Sequence, residues 1–333
     1  MDPRIYANSV RIFTADFTVI NIIGKAAKRL EELRRAGIEI PSTVDALQSA
    51  PLPEVMHAPA GAEVRSLRKV SLPTERQFEL KALDEPGATS RKVELDFDAL
   101  AAQGYLTPSQ RDRALADDFR IIKMRLLKNV AQAAENGALR SNVVLVASAL
   151  PGEGKTYVSI NLALSIAMTV DNSVLLVDAD VLRPSVLTRL GLGDSMGLTD
   201  LIMNPNLALS DVMLATNVPK LSVLPSGSMS ERASELIASS SMEELLSQLS
   251  ARYPDRIIVV DGPPLLVTTV ARALAPKVGQ VVLVVEASRT TTAAVTESLA
   301  ALESCSLVSA VLNKYVSHSR GAGYGYGYYG EKY

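Results

Sequence analysis

The sequence predicts an α/β fold, a doubly wound and mostly parallel sheet with helices on both faces. Three observations carry this expectation. Two uninterrupted apolar runs, Ile257–Val260 and Val281–Val285, have the β-branched character of strands buried on both faces. Further runs of strand length at 142–147, 173–178, 221–225 and 307–312 extend those two into six candidate strands, with 256–261 and 280–286 as the full spans. Segments of helical character, such as 230–251 and 290–304, lie between them, which is the order that parallel crossovers require. Finally, residues 147–156 read Ala-Ser-Ala-Leu-Pro-Gly-Glu-Gly-Lys-Thr between the apolar Val143–Val146 and the alternating segment Tyr157–Ala163. That is the strand, loop and helix setting of a phosphate-binding P-loop, and in such sheets ligands bind at the C-terminal ends of the strands.

Bulk properties narrow the possibilities. A chain of 333 residues has room for one large domain with appendages, or for two, and 47% apolar residues support a sizeable core. A formal net charge of −2 supplies no basic field to recruit nucleic acid or anionic lipid. The single cysteine, Cys305, excludes an internal disulfide and suits a reducing compartment. His57 and His318 are too few and too far apart in sequence to suggest zinc. No apolar run reaches the roughly 18 to 20 residues that span a bilayer. Phe17–Ile23 is short, contains Thr18 and Asn21, and leads into a charged segment, which argues against a signal peptide.

Along the chain, residues 1–92 read as an N-terminal extension. Val19, Ile22, Ile23, Ala26, Leu30 and Leu33 recur at helical spacing over Val19–Ala36, opposite a face of Lys, Arg and Glu. Such a helix suits packing on its own domain or on a second copy, or contact with a membrane surface or membrane partner. Six prolines between Pro41 and Pro86 then mark a linker, expected to be mostly disordered. Residues 93–318 form the sheet domain. Thr107-Pro108 opens a long helix at about 109–136, closed by Gly137. Residues 319–333 are a Gly/Tyr-rich tail that cannot build a core.

Within the P-loop, Gly152 and Gly154 let the backbone curl so that successive N–H groups point at an anion, and the helix N-terminus adds positive potential. Lys155 reaches the β- and γ-phosphates and Thr156 offers a hydroxyl to Mg²⁺. Ala149 replaces the first glycine of the strict pattern. Val174–Val177 ends in Asp178-Ala179-Asp180, two carboxylates directed at the same crevice, suited to holding metal and accepting a proton. Ile257–Val260 delivers Asp261 in the manner of a Walker B strand.

Together these residues resemble the bacterial tyrosine autokinases, P-loop kinases that govern export of capsular and extracellular polysaccharide, over roughly residues 94–333. Ser148–Thr156 is similar to the family's Walker A, Leu175–Arg183 to its second acidic motif, and Ile257–Pro264 to its Walker B. Phe119–Lys123, Val311–Lys314 and the Gly-Tyr tail are similar to the exosortase-associated subgroup. The resemblance implies ATP and Mg²⁺ as cofactors, with Pro151, Gly152, Glu153, Gly154, Lys155 and Thr156 on the phosphates and Asn313 on the adenine. It implies Thr156, Asp178 and Asp261 on the metal, and Lys155, Asp178 and Asp180 in catalysis. It also implies a cytoplasmic protein, peripheral at the inner face of the cell membrane through a partner. That partner would be a separate integral-membrane polysaccharide co-polymerase acting as activator. Self-association into a ring and reversal by a tyrosine phosphatase complete the implied set.

The chain departs from the family at three further places. Leu182 stands where Asp-x-Asp-x-Arg has its arginine, with Arg183 following. Gly262 follows the Walker B aspartate in place of Ser or Thr. Asp117-x-x-Arg120-x-x-Lys123 stands for the oligomerisation motif Glu-x-x-Arg-x-x-Arg, and lysine cannot form arginine's bidentate fork. Tyr324, Tyr326, Tyr328, Tyr329 and Tyr333, half of the ten tyrosines, are the expected phosphoacceptors. Two other readings compete. A partitioning-type ATPase switch would carry a signature lysine at the position of Leu150. A nucleotide-binding adaptor without kinase activity would tolerate Ala149, Leu182 and Gly262.

Overall fold

The computed structural model describes residues 9–11, 90–108, 112–204 and 206–315. The expected helix Val19–Ala36, most of the linker and the tyrosine tail lie outside the described residues.

Among the described residues, nine strands form one sheet: β1 (Ser9–Arg11), β2 (Arg91–Val93), β3 (Val143–Ser148), β4 (Ser173–Asp178), β5 (Leu214–Thr216), β6 (Leu221–Leu224), β7 (Arg256–Asp261), β8 (Gln280–Glu286) and β9 (Val308–Tyr315). Their spatial order is β1-β9-β8-β3-β7-β4-β6-β5-β2. β1 runs antiparallel to β9 and β5 antiparallel to β6, while the other neighbours are parallel. All six expected strands are present, three with the anticipated ends and three within one to three residues of them. The three that sequence reading does not find are each three residues long, and two of them form the sheet edges, where no long apolar run is needed.

The central strands are buried on both faces because their alternate side chains feed two separate cores. Val143, Leu145 and Ala147 of β3 pack with Leu175, Val177, Ile258 and Val260 on one side. Val144 and Val146 pack with Val174, Leu176, Ile257 and Val259 on the other.

The second core is covered by the helix Lys155–Ala167, itself buried almost all round, and by the longer helix Arg113–Glu135. Phe119 on the longer helix is fully buried against Tyr157, a placement worth roughly 2–3 kcal/mol of apolar burial. That helix starts at an Asp112 cap whose carboxylate accepts from the N–H groups of Ala114 and Leu115. It ends in a Schellman turn: Ala138 N donates to Ala133 O at 2.9 Å, Gly137 N donates to Ala134 O at 2.9 Å, and Gly137 takes φ +72°.

The segment expected to be one helix at 230–251 is two, Ala233–Ala238 and Ser240–Arg252. Ser239 takes ψ 165° and caps the second, and Lys277 Nζ donates to the carbonyls of Ala238 and Ser239 at 3.1 and 2.5 Å. The Lys277 contacts come from a distant part of the chain, and the Ser239 cap is the local signal of the break. Among the described residues, no helix is long and apolar enough to cross a membrane.

Candidate active site

The parallel register does most of the work of assembling the site. β4 and β7 pair so that Asp178 lies directly beside Asp261, and β7 pairs with β3 so that Asp261 lies beside Val146 at the entrance to the P-loop. Two carboxylates and the phosphate cradle thus meet at the C-terminal edge of the sheet.

In the loop, Gly152 and Gly154 take φ +84° and +97°, the left-handed conformations that glycine adopts without strain. Ala149 is not among the positive-φ residues and is fully buried, so its position makes no demand for glycine. The chain keeps the two glycines whose conformation the loop needs. Gly154 has a second reason to be glycine, since a Cβ there would sit 2.1 Å from Asn313 Nδ2.

The loop is fastened from behind. Glu153, expected to contribute its backbone to phosphate binding, has a buried side chain that accepts from Leu150 N at 2.8 Å and from the Thr290 hydroxyl. Asn313 Nδ2 donates to Glu153 O at 2.8 Å, and Lys314 Nζ donates to Gly152 O at 2.7 Å. Asn313 lies within β9 rather than after it, and its buried Oδ1 has no hydrogen-bond partner.

Lys155 Nζ donates to Asp180 Oδ2 at 2.6 Å, and Thr156 Oγ1 donates to Asp261 Oδ2 at 2.7 Å. Ser159 Oγ lies 3.0 Å from Asp261 Oδ1, and Ser185 Oγ donates to Thr156 Oγ1 at 3.1 Å. Asp178 accepts from the backbone N–H groups of Asp180, Ser185 and Val186 at 3.0–3.2 Å. Sequence reasoning misses Ser159 and Ser185. Ser159 stands three residues after Thr156 on the same helix face, a spacing that could have found it. Ser185 follows the acidic motif with no comparable signal.

The carboxylates disturb each other. Burial, and next the Asp261 charge, push the Asp178 carboxyl up to about 7. Burial also raises Asp261, although Lys155 and the Thr156 and Ser159 hydroxyls pull it back. Burial works against the Lys155 ammonium, but Asp261 and Asp180 outweigh it, so its pKa is raised and it stays charged. Hard oxygen donors from three carboxylates, offset by a single ammonium, are the donor set for a small divalent cation. Mg²⁺ needs only one or two carboxylates beside a hydroxyl, waters and phosphate oxygens. Thr156, Asp178 and Asp261 fit that requirement.

A cleft of about 410 Å³ opens over the loop, lined by Gly152, Lys155, Thr156, Asp180, Leu182 and Arg183 among others. Leu182 is half-exposed in this wall, and Arg183 and Arg189 line it as well. Gly262 has a packing reason, because a Cβ there would meet Leu145 Cδ1 at 2.6 Å. On the helix Arg113–Glu135, Arg120 is exposed and paired with Asp117 at 3.4 Å. Lys123, by contrast, donates to Ser165 O at 3.1 Å within its own domain.

A family of AAA domains (AAA_31) matches residues 141–313. The chain is 34% identical over 193 residues to the tyrosine-protein kinase YwqD of Bacillus subtilis (strain 168), spanning 57% of this chain and 78% of that protein. This chain belongs to the bacterial protein-tyrosine kinase family. It is 33% identical over 154 residues to the tyrosine-protein kinase ptk of Acinetobacter johnsonii, where the match spans 46% of this chain but only 20% of that protein. In structure it is similar to the kinase domain of the Escherichia coli tyrosine kinase ETK, with a TM-score of 0.54 and 26% identity over 64% of this chain and 80% of that one. A bacterial-type tyrosine kinase site accounts for a P-loop faced by three aspartates. The partitioning-type alternative, already disfavoured by Leu150, loses its ground to these relatives.

Proposed function

We propose that this chain is an ATP- and Mg²⁺-dependent protein-tyrosine autokinase that phosphorylates its own C-terminal cluster, Tyr324, Tyr326, Tyr328, Tyr329 and Tyr333, in trans. The observation that carries this reading is the side-by-side placement of Asp178 and Asp261 under the P-loop, with Lys155 ion-paired to Asp180. Backbone groups of Pro151–Thr156 hold the phosphates, and Asn313 serves them by bracing the loop through Glu153 O. Mg²⁺, held by Thr156, Asp178 and Asp261, would neutralise charge on the β- and γ-phosphates.

In the transfer, a tyrosine oxygen attacks the γ-phosphorus. The new O–P bond forms as the bond to the β,γ-bridging oxygen breaks, ADP leaves, and the phenolic proton passes to a carboxylate of the site. Lys155 offsets charge on the transferred group. Asp178 and Asp180 are the candidate acceptors of that proton: Asp180 already accepts from the Lys155 ammonium at 2.6 Å, and Asp178 from three backbone N–H groups.

Each phosphate adds roughly −1.5 to −2 charges to the tail, so successive transfers repel it from the acidic site and weaken self-association. Arg120 is an exposed cation available to a neighbouring copy, whereas Lys123 is committed within its own chain. The biological reading is control of exopolysaccharide biosynthesis and export. A separate integral-membrane co-polymerase activates the kinase at the inner face of the membrane, and a tyrosine phosphatase resets it.

The test is mass spectrometry of the C-terminal peptide from wild type and Lys155→Met, each co-expressed with its neighbouring locus. Tail phosphotyrosine in the wild type alone is expected. Absence of tail phosphate from wild type after incubation with Mg-ATP and the activating partner would sink the proposal, and ATP hydrolysis without it would favour an ATPase switch. Failure to bind ATP would favour the adaptor.

A further inference from the structure

A second cavity of about 400 Å³ adjoins the nucleotide cleft. The two share Ser185 in their walls, and Asp178 lines the second while Lys155 and Asp180 line the first. The reacting carboxylates therefore divide two chambers, of which only one has the P-loop.

The far wall of the second chamber is built from two loops stitched backbone to backbone. Leu198 N donates to Pro225 O at 2.8 Å and Thr199 N donates to Ser226 O at 3.0 Å. Asp200 Oδ2 accepts from Gly197 N at 2.8 Å and from Ser228 N at 3.0 Å, holding both loops with one carboxylate. Gly197 and Gly227 meet so closely that a Cβ on Gly197 would lie 2.1 Å from Pro225 O, and one on Gly227 2.6 Å from Asp200 Oδ2. Such a wall is preorganised, so little ordering cost falls on an incoming chain.

Its chemistry is selective. Asp178 and Asp194 are the charged residues lining it, and serine and threonine hydroxyls supply most of the polar surface. Met196 and Met229 line the same cavity with exposed side chains. An acidic chamber disfavours a second nucleotide or any phosphate, and favours a neutral ligand that donates hydrogen bonds. Exposed thioethers favour an aromatic ring.

One segment of this chain has that description. Residues 321–330 read Gly-Ala-Gly-Tyr-Gly-Tyr-Gly-Tyr-Tyr-Gly, with no charge, four phenols, and glycines that need no pockets between them. We propose that this second cavity is the acceptor subsite, that it takes a tyrosine of segment 321–330, and that Met196 and Met229 select for the aromatic ring. The inference rests on the kinase reading above and adds where the acceptor enters. It also accounts for release, since a phosphotyrosine dianion is repelled by the same acidic wall.

The experiment uses the full chain with its five tail tyrosines changed to serine, and a synthetic peptide of residues 319–333 as acceptor. Met196→Ala/Met229→Ala should raise the peptide KM about tenfold, the size of losing two sulfur–aromatic contacts, with the ATP KM unmoved. Ser195→Trp, which fills the chamber, should do the same with an unchanged Tm. Peptide binding to the ADP-loaded protein is read separately by fluorescence anisotropy. Weakened binding in both variants supports the subsite even where wild type transfers no phosphate, a result that would count against the kinase reading alone. An unchanged peptide KM and affinity in both variants, a parallel rise in the ATP and peptide KM values, or no peptide binding to wild type overturns it.

Discussion

Replacing Asp261 by Asn should make the metal-free protein more stable while abolishing its kinase activity. With the Asp178 carboxyl at about 7 against an ordinary 3.8, holding that group ionised in the folded protein costs roughly 4 kcal/mol at pH 8, taking about 1.4 kcal/mol per pH unit. Burial is the larger cause and the Asp261 charge the next, so removing that charge should recover about 1–2 kcal/mol. Asn preserves the packing, because its amide oxygen can accept from Thr156 and its amide nitrogen can donate to the Ser159 hydroxyl.

The sign follows from proton uptake. Below about pH 4 both folded and unfolded chains carry Asp178 protonated, and the two proteins differ little through this group. Between about 4 and 7 the unfolded chain releases the proton first, so wild-type stability falls as pH rises, and the full difference stands above 7. Urea unfolding at pH 5 and pH 8 in EDTA measures it. With Mg²⁺ and ADP the order should reverse, since only wild type gains stability from the bound cation. A variant less stable than wild type at pH 8 in EDTA, or a difference independent of pH, would refute the electrostatic argument.

Other perturbations test the site from different sides. Lys155→Met removes the partner of the buried Asp180 and a charge that steadies Asp261, so it should cost roughly 3 kcal/mol in urea unfolding at pH 8 and eliminate tail phosphotyrosine on immunoblots. Gly154→Ala should destabilise by more than Gly152→Ala, which meets nothing closer than Arg289 Nη1 at 3.7 Å and bears only the left-handed strain of about 1–2 kcal/mol; thermal melts that reverse this order would contradict the close approach of Asn313. Thr290→Val leaves an oxygen of the buried Glu153 without its donor, and should cost about 1–3 kcal/mol and raise the ATP KM, measurable by melts and steady-state ATP titration.

Much of the site is legible in the sequence because its residues sit at punctuation points of the chain. Asp178 and Asp261 each end an apolar run, and Lys155 ends a glycine-rich loop, so local pattern alone marks them. What local pattern does not carry is their adjacency. Asp178 and Asp261 are neighbours because β4 and β7 pair in one register, and no residue between them encodes that register by itself. The Glu153 side chain is hidden for the same reason. In sequence it is one more loop position, and its role depends on Thr290 arriving from the segment after β8, while Asn313 of β9 holds the Glu153 carbonyl. The short strands β1, β2 and β5 are missed because three residues pairing at or near the sheet margin need no apolar run.

The departures from the family pattern separate on physical grounds. Ala149 and Gly262 are packing solutions: the first is buried without a left-handed backbone, and the second makes room for Leu145 in the core beneath the site. Neither lines the nucleotide cleft. Leu182 is different, because it stands in the cleft wall itself, half-exposed, where the pattern would place a guanidinium. The positive charge of that wall comes instead from Arg183, one residue on, and from Arg189, which also reaches Tyr105 Oη at 3.4 Å. The Tyr105 ring packs, tilted, against that of Tyr157, one position after Thr156. The relocated charge is therefore linked, through one aromatic pair, to the helix that carries the P-loop lysine. A cleft that lacks the motif arginine still has two guanidiniums in its wall and a charged lysine facing the carboxylates, so Leu182 shifts the positive charge of that wall rather than removing it.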